Sequence, residues 1–390
     1  MQVLAAAAAH DMSPTRRPRL ARVAVLQGIA TARRTWEDLA ERVPCSPYQR
    51  PAWLVPWLDT LGGGAAAVFV VGYDAEGRAI ALLPLCLRRL PGFTLAGFPG
   101  GHDANTGLGL FDPAALLDRA AIENFLQAAA AEARIDLFVL RHQPHEWAGT
   151  PNPLAILPQA ASPSFQHLTE LRRPAEAFLA QTLSKRTRKH IRQKETKLAA
   201  LGPVAYEVAT TAEQVAAFAE ALVRYRATRF GGRRGHEALV RRFLERSGLP
   251  EGNGAPAVEL HALTCGGDIV AVFAGTGHQG RFSGMMISFD PDPRWAKLSP
   301  GELLLARVIA SKCDAGFKIF DLGIGEARYK DVFCPVVEPL FDTIRGASWR
   351  GRLAAPAWRV HLAGKRAIKR TPWLWSRLSW LRSVTRFARR

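Results

Sequence analysis

The spacing of apolar residues predicts the same series of elements twice along the chain. In the first series ARVAVL reads as a strand and TARRTWEDLAERV as an amphipathic helix. SPYQRPAWLVPWLDTL follows, with aromatics that suit a buried helix entered through prolines. AAVFVVGYDAEGRAIALLPLCLRR is apolar on both sides of Asp74-Ala75-Glu76-Gly77, the pattern of a β-hairpin. A helix from Pro113 to Ala133 and the strand IDLFVLRH close the block, and the proline-rich stretch from Pro144 to Pro163 reads as a connection between domains.

The second series runs from the strand YEVAT through the helices TAEQVAAFAEALVRYRATRF and VRRFLERSG to AVELHALTCGGDIVAVFAGTGH, a hairpin turning at Cys265-Gly266-Gly267-Asp268. RFSGMMISFD is a further strand, Pro300 to Ala315 a helix, and KIFDLGIG a strand ending in glycines. The repeated order predicts a duplicated α/β (α+β) unit with mixed, mostly antiparallel sheets flanked by helices. The expected organisation is a disordered leader at 1–19, domains at 20–160 and 161–348, and a basic, Trp-rich amphipathic tail at 349–390.

At 390 residues and 48% hydrophobic composition the chain is too long for one ordinary core, which fits two domains. No apolar stretch approaches the ~18 residues of a spanning helix. The alanine run at Ala5 to Ala9 lacks the basic start and long apolar core of a secretory signal. The five cysteines are odd in number, far apart and without a CxxC pair, which points away from disulfides and zinc and toward a reducing cytoplasm. The net charge of +18 is unevenly placed: thirteen Lys and Arg and no acid lie beyond Asp342, so the body carries thirty-nine basic against thirty-four acidic residues. Partners of body and tail therefore need separate arguments.

Candidate chemistry concentrates in residues 299–333. Ser299-Pro300-Gly301-Glu302 combines a hydroxyl N-cap, proline at the first helical position and glutamate at the capping-box place. A helix starting there, directly after strands, presents free N–H groups and a positive dipole end to an anion, and Gly301 admits a phosphate close to the backbone. Gly323 and Gly325 end the following strand. Glu326 and Lys330 are spaced to share a helix face and pair, with Tyr329 beside them, where a phenol can protonate a leaving thiolate.

Phe178 to Leu201, Arg224 to Gly232 and above all Ser299 to Phe333, together with SPYQRPAWLVPWL, resemble the CelD/BcsL-like acetyltransferase family, a branch of the GNAT superfamily associated with cellulose and exopolysaccharide loci. The resemblance covers most of residues 36–345 and implies tandem GNAT-like domains similar to the Fem-type peptidoglycan aminoacyltransferases. It implies acetyl-CoA or another acyl-CoA as co-substrate, held by Ser299, Gly301, Glu302 and Leu303, and no metal. An amine on a sugar or cell-envelope precursor would attack the thioester directly, with Tyr329 as general acid and Glu326 or Asp321 as base or amine-orienting group. The superfamily signature Gln/Arg-x-x-Gly-x-Gly/Ala is absent here. Two alternatives stand beside this reading: aminoacyl-tRNA as donor, as in Fem-type enzymes, and a non-catalytic scaffold in a polysaccharide synthesis complex.

Outside that segment, LSKRTRKHIRQKETKLAAL carries seven Lys or Arg and one acid. Lys185 and Arg188, with Arg186, Lys189 and Arg192, either meet a phosphate-bearing substrate or form a solvated face. Arg226 and Arg229 either line an acceptor cleft, with Lys330 as a further substrate contact, or neutralise a helix end. Gly100-Gly101-His102-Asp103-Ala104-Asn105 reads as a turn rather than a proton-transfer pair, and Pro144 breaks the spacing that a metal site at His142, His145 and Glu146 would need. In the tail, Trp373, Trp380, Val384 and Phe387 form one stripe and Arg382, Arg386 and Arg390 another, the pattern either of a helix on an anionic membrane surface, peripheral to the inner membrane, or of one packed on the protein. No G-x-S-x-G, Walker A or H-E-x-x-H motif occurs, which argues against hydrolase, NTPase and zincin chemistry.

Overall fold

A computed structural model describes residues 17–231, 234–250 and 254–370. The first series contains β1 (Arg22–Gln27), α1 (Ile29–Arg42), α2 (Pro51–Thr60), β2 (Ala66–Tyr73), β3 (Ala79–Leu90), β4 (Phe93–Gly97), β5 (Leu110–Phe111), α3 (Arg119–Ala133) and β6 (Leu137–Pro144). The small hairpin β7 (Glu146–Trp147) and β8 (Thr150–Pro151) leads to β9 (Ala160–Glu170) and the helices α4 (Ala175–Thr182) and α5 (Lys185–Ala199). The second series contains β10 (Val204–Val208), α6 (Ala212–Phe230), α7 (Arg234–Ser247), β11 (Glu259–Cys265), β12 (Asp268–His278), β13 (Arg281–Phe289), the short α8 (Pro293–Ala296), α9 (Pro300–Asp314), β14 (Ile319–Ile324), α10 (Arg328–Phe333) and β15 (Val336–Gly346). A final helix, α11, spans Trp349–Arg370.

The strands form one 13-stranded sheet in the order β1-β2-β3-β4-β6-β15-β9-β14-β13-β12-β11-β10, with β5 beside β3. Only β4 with β6 and β13 with β14 pair in parallel; every other pair in this sheet is antiparallel. The duplication is visible in the order, and so is an exchange. β9, which follows the first series, pairs with β14 of the second, while β15, which ends the second, pairs with β6 of the first. β9 and β15 then pair with each other and join the two half-sheets.

Strand alternation explains the layers. In β2, Phe69 and Val71 share a core with Ala32 and Trp36 of α1, whereas Val68 and Val70 share another with Ile122 and Phe125 of α3. The first of these cores continues into the second half through Phe218 of α6 and Phe243 of α7, and Trp53 meets Phe243 edge-on at 5.5 Å. α9 packs Leu304, Leu305, Val308 and Ile309 against Phe273, Phe282 and Phe320.

Several sequence expectations change. The helix expected from Pro113 begins at Arg119, because the Asp118 side chain accepts from the Ala121 N–H and caps it there. Residues 17–19, expected in a disordered leader, are placed against the body: Arg17 donates to the carbonyls of Pro113, Ala114 and Ala115, and residues 1–16 lie outside the described residues. The connection expected up to Pro163 is already β9 from Ala160, placing the 160/161 boundary at the start of a strand that belongs to both halves. The tail residues Trp373, Trp380, Val384, Phe387, Arg382, Arg386 and Arg390 lie outside the described residues.

Candidate active site

β13 and β14 pair at three positions only, Arg281↔Ile319, Phe282↔Phe320 and Ser283↔Asp321, and then part. Each strand carries an irregularity at that point. Ala274 faces Met286 while Gly275 faces Gly284, so Met285 is an extra, bulged residue in β13. On the far side β14 loses register with β9 between Asp321 and Ile324, where Gly323 takes φ 67° and the following Gly325 φ 96°. These left-handed angles favour glycine, which explains the glycine-ended strand.

The opening is wedged by one side chain from the first half. Asn105 donates from Nδ2 to the Gly284 carbonyl at 2.9 Å and to the Tyr48 hydroxyl at 2.8 Å, and its Oδ1 accepts from the Ile324 N–H at 3.4 Å. A Cβ on Gly323 would collide with this amide. Asn105 sits on an excursion between β4 and β5 whose Gly107 N–H donates to the His142 carbonyl, in the place where β4 and β6 part company in the first half.

Asp321 anchors the base of the opening. Its carboxylate is fully buried, accepts from Arg281 Nε at 2.7 Å, Ser283 Oγ at 2.6 Å and the Gly323 N–H at 3.0 Å, and is thereby committed. Arg281 also bonds Gln166 and Glu338 and lies 4.2 Å from the Trp147 ring centroid. The base or orienting role expected of Asp321 therefore gives way to one of positioning. Lys330 turns inward as well, donating to the Ile324 carbonyl at 2.8 Å, and burial pulls its pKa down to about 8 against the opposing pull of Asp321. The expected Glu326–Lys330 helical pair does not form, since α10 starts at Arg328 and leaves Glu326 exposed in the preceding loop.

Tyr329, on α10, lies at the rim. Burial pushes its phenol up, and the charges of Arg229 and Arg226 on α6 oppose that shift. Arg226 is itself pulled down by burial, with Asp103 and Tyr329 opposing. The Arg229 guanidinium lies 5.2 Å from the centroid of Phe289 at the end of β13, and Asp103 accepts from Trp57 Nε1 at 2.9 Å. The structure thus gathers Tyr329, Arg226 and Arg229 around one rim, with Asp103 contributed by the first half. The Gly100–Asn105 segment is a turn, as its spacing implies: the Asp103 and Ala104 N–H groups donate to the Gly100 carbonyl.

The start of α9 closes this region beside β13, with Gly301 packed near Phe289 and Ile287. Its details depart from the sequence reading. Ser299 takes φ 50° and makes no side-chain cap; its hydroxyl instead accepts from Lys194 of α5 at 2.5 Å. Glu302 also turns to Lys194, so no capping box forms. Pro300 and Gly301 are buried and Leu303 joins the core, so the helix start is covered where exposure was expected. On α5, Lys185 is exposed and Arg188 half-buried, and with Lys189 and Arg192 they flank an open groove of about 400 Å³.

Residues 185–331, from α5 into α10, match the acetyltransferase (GNAT) domain family. No curated protein matches the sequence. Among solved structures the chain is similar to FemX, with a TM-score of 0.60 at 11% identity over 83% of this chain and 98% of that one. It is also similar to a C-terminal domain described as that of a lysylphosphatidylglycerol synthetase from Agrobacterium fabrum, with a TM-score of 0.51 at 13% identity over 86% and 96% of the two chains. A protein of unknown function from Bacteroides thetaiotaomicron gives 0.51 at 14% identity over 83% and 99%. The fold is GNAT-like. Likeness at these identities concerns fold alone, and the GNAT-type domain match falls wholly within the second half. Among the described residues no cluster of His, Cys, Asp and Glu could hold a metal ion.

The polar, glycine-rich segment that ends at Asn105 reads in the sequence only as a turn, and nothing local marks Tyr48 or Arg281; the partners of Asn105 and Arg281 lie 40 to 219 residues away.

Proposed function

We propose that the protein is an acyl-CoA-dependent N-acyltransferase, with acetyl or a related short acyl group transferred to an amine of a sugar or other cell-envelope precursor. The observation that carries the reading is the bulged, splayed β13–β14 pair with Tyr329 at its rim and the start of α9 at its mouth. A thioester lying in the opening would meet backbone N–H groups of β13 that no longer pair with β14, and these polarise its carbonyl. The acceptor nitrogen attacks the carbonyl carbon, a C–N bond forms, the C–S bond breaks, and Tyr329 delivers its proton to the departing thiolate. The Tyr329 phenol is protonated at neutral pH, and the nearby Arg229 and Arg226 charges oppose the upward push of burial and ease loss of that proton. Glu326, exposed before α10, takes the amine proton through water. Arg226 and Arg229 favour an acceptor that carries a negative group near its amine. The test is thiol release from acetyl-CoA with a panel of amino sugars: turnover in the native chain and a fall of about 10²-fold or more in Tyr329→Phe, with donor binding retained, is expected. Equal turnover in Tyr329→Phe would remove the phenol from the reaction.

A second reading, with aminoacyl-tRNA as donor, is favoured by the basic face of α5 beside the covered start of α9. Salt-dependent tRNA binding that disappears when Lys185, Arg188, Lys189 and Arg192 are neutralised, with no acyl-CoA binding, would select it.

A further inference from the structure

The outward side of α11 is apolar where a surface helix is ordinarily polar. The helix crosses the central strands and packs Ala355 and Leu362 against Leu137, Val139 and Ile344. That face accounts for its attachment to the sheet. On the opposite face, at helical spacing, Trp349, Leu353, Pro356, Ala357, Val360 and Ala363 are all exposed. Trp349 is 63%, Leu353 72% and Val360 72% accessible, three of the eight large hydrophobic side chains so exposed among the described residues. Arg350 and Lys365 lie on one side of the stripe and Arg352 and Arg359 on the other, all four exposed, with Arg350 also donating to the Gly92 carbonyl and Arg359 to the Ile344 carbonyl. From Thr343 to the end of the sequence no acidic residue occurs.

We propose that this face of α11 docks on an anionic lipid bilayer, with the apolar stripe entering the headgroup boundary and the basic rows meeting lipid phosphates. A helix lying on an anionic membrane interface combines an apolar stripe of Trp, Phe or Leu with basic flanks, and α11 presents both outward while its inward face stays on the sheet. No helix among the described residues is long and apolar enough to cross a membrane. Charge selects the occupant. A second copy of the chain would bring the basic rows of two helices together, whereas an anionic surface neutralises them. The proposal is independent of the reaction proposed above.

The test is co-sedimentation of the full chain with vesicles of phosphatidylcholine alone and of phosphatidylcholine with phosphatidylglycerol. Binding to the anionic vesicles, weakened by salt, and little binding to the neutral ones is expected. Leu353→Glu/Val360→Glu alters two solvent-facing positions, leaves the melting temperature near that of the native chain, and should lower anionic-vesicle binding roughly tenfold or more. Unchanged binding by this double variant would assign any membrane contact to other residues and overturn the proposal. So would an absence of binding, or conversion of a native dimer to a monomer by the same substitutions.

Discussion

Asn105 supplies with one amide the donor and acceptor that a continued β13–β14 ladder would have supplied with several backbone groups. Replacing it with leucine keeps the bulk and strands the Gly284 carbonyl and Ile324 N–H, at about 1–3 kcal/mol for each buried group left unpaired. Urea unfolding of Asn105→Leu should show that loss, and amide exchange at Ile324 should rise more than in the cores. Asp321→Asn tests the base of the opening: it leaves Arg281 with a weakened partner in a buried site, and a loss of about 3–5 kcal/mol in the same assay is expected. Lys330 gives a pH signature. Its folded-state pKa of about 8 lies below the unfolded one, so the unfolded chain holds more protons between these values and stability rises with pH across that window. Relative to Lys330→Met, the native chain should gain stability from about pH 8 to 10.5 and show a constant deficit below it. The chemical candidates were legible as residue types, but Asp321 changed role because Arg281 and Ser283 reach it across the strand pair, a contact that no local spacing reveals.

The elements themselves were largely written in the apolar pattern. Both hairpins, the aromatic α2 and the glycine-ended β14 follow from periodicity and turn residues, since each depends on neighbours close in sequence. Helix starts were less legible where side chains had a better partner elsewhere. Ser299 has the right neighbours for a cap, yet Lys194, 105 residues away, claims its hydroxyl. At α6, where the partners of both side chains are local, the box forms between Thr211 and Gln214. Thr211→Ala should therefore cost about 1 kcal/mol by thermal or urea unfolding, and should do so without moving Arg226 or Arg229 at the far end of that helix.

Across the whole molecule, the repeat was visible and the exchange was not. A series of elements fixes what each half contains, while the choice of sheet for β9 and β15 rests on pairing between strands far apart in the chain. Because each half completes the sheet of the other, and Asn105 of one half wedges the opening of the other, the two should unfold together. A single calorimetric transition with equal van't Hoff and calorimetric enthalpies is the expected result; two separable transitions would mean that the exchanged strands contribute little. The same coupling places the β13–β14 opening under the control of both halves.

Titration calorimetry of acetyl-CoA into the full chain tests the proposed transferase reading most directly. Saturable binding at one site per chain, competed by free CoA and retained in Tyr329→Phe, is expected. No binding by acetyl-CoA or by any longer acyl-CoA would contradict it.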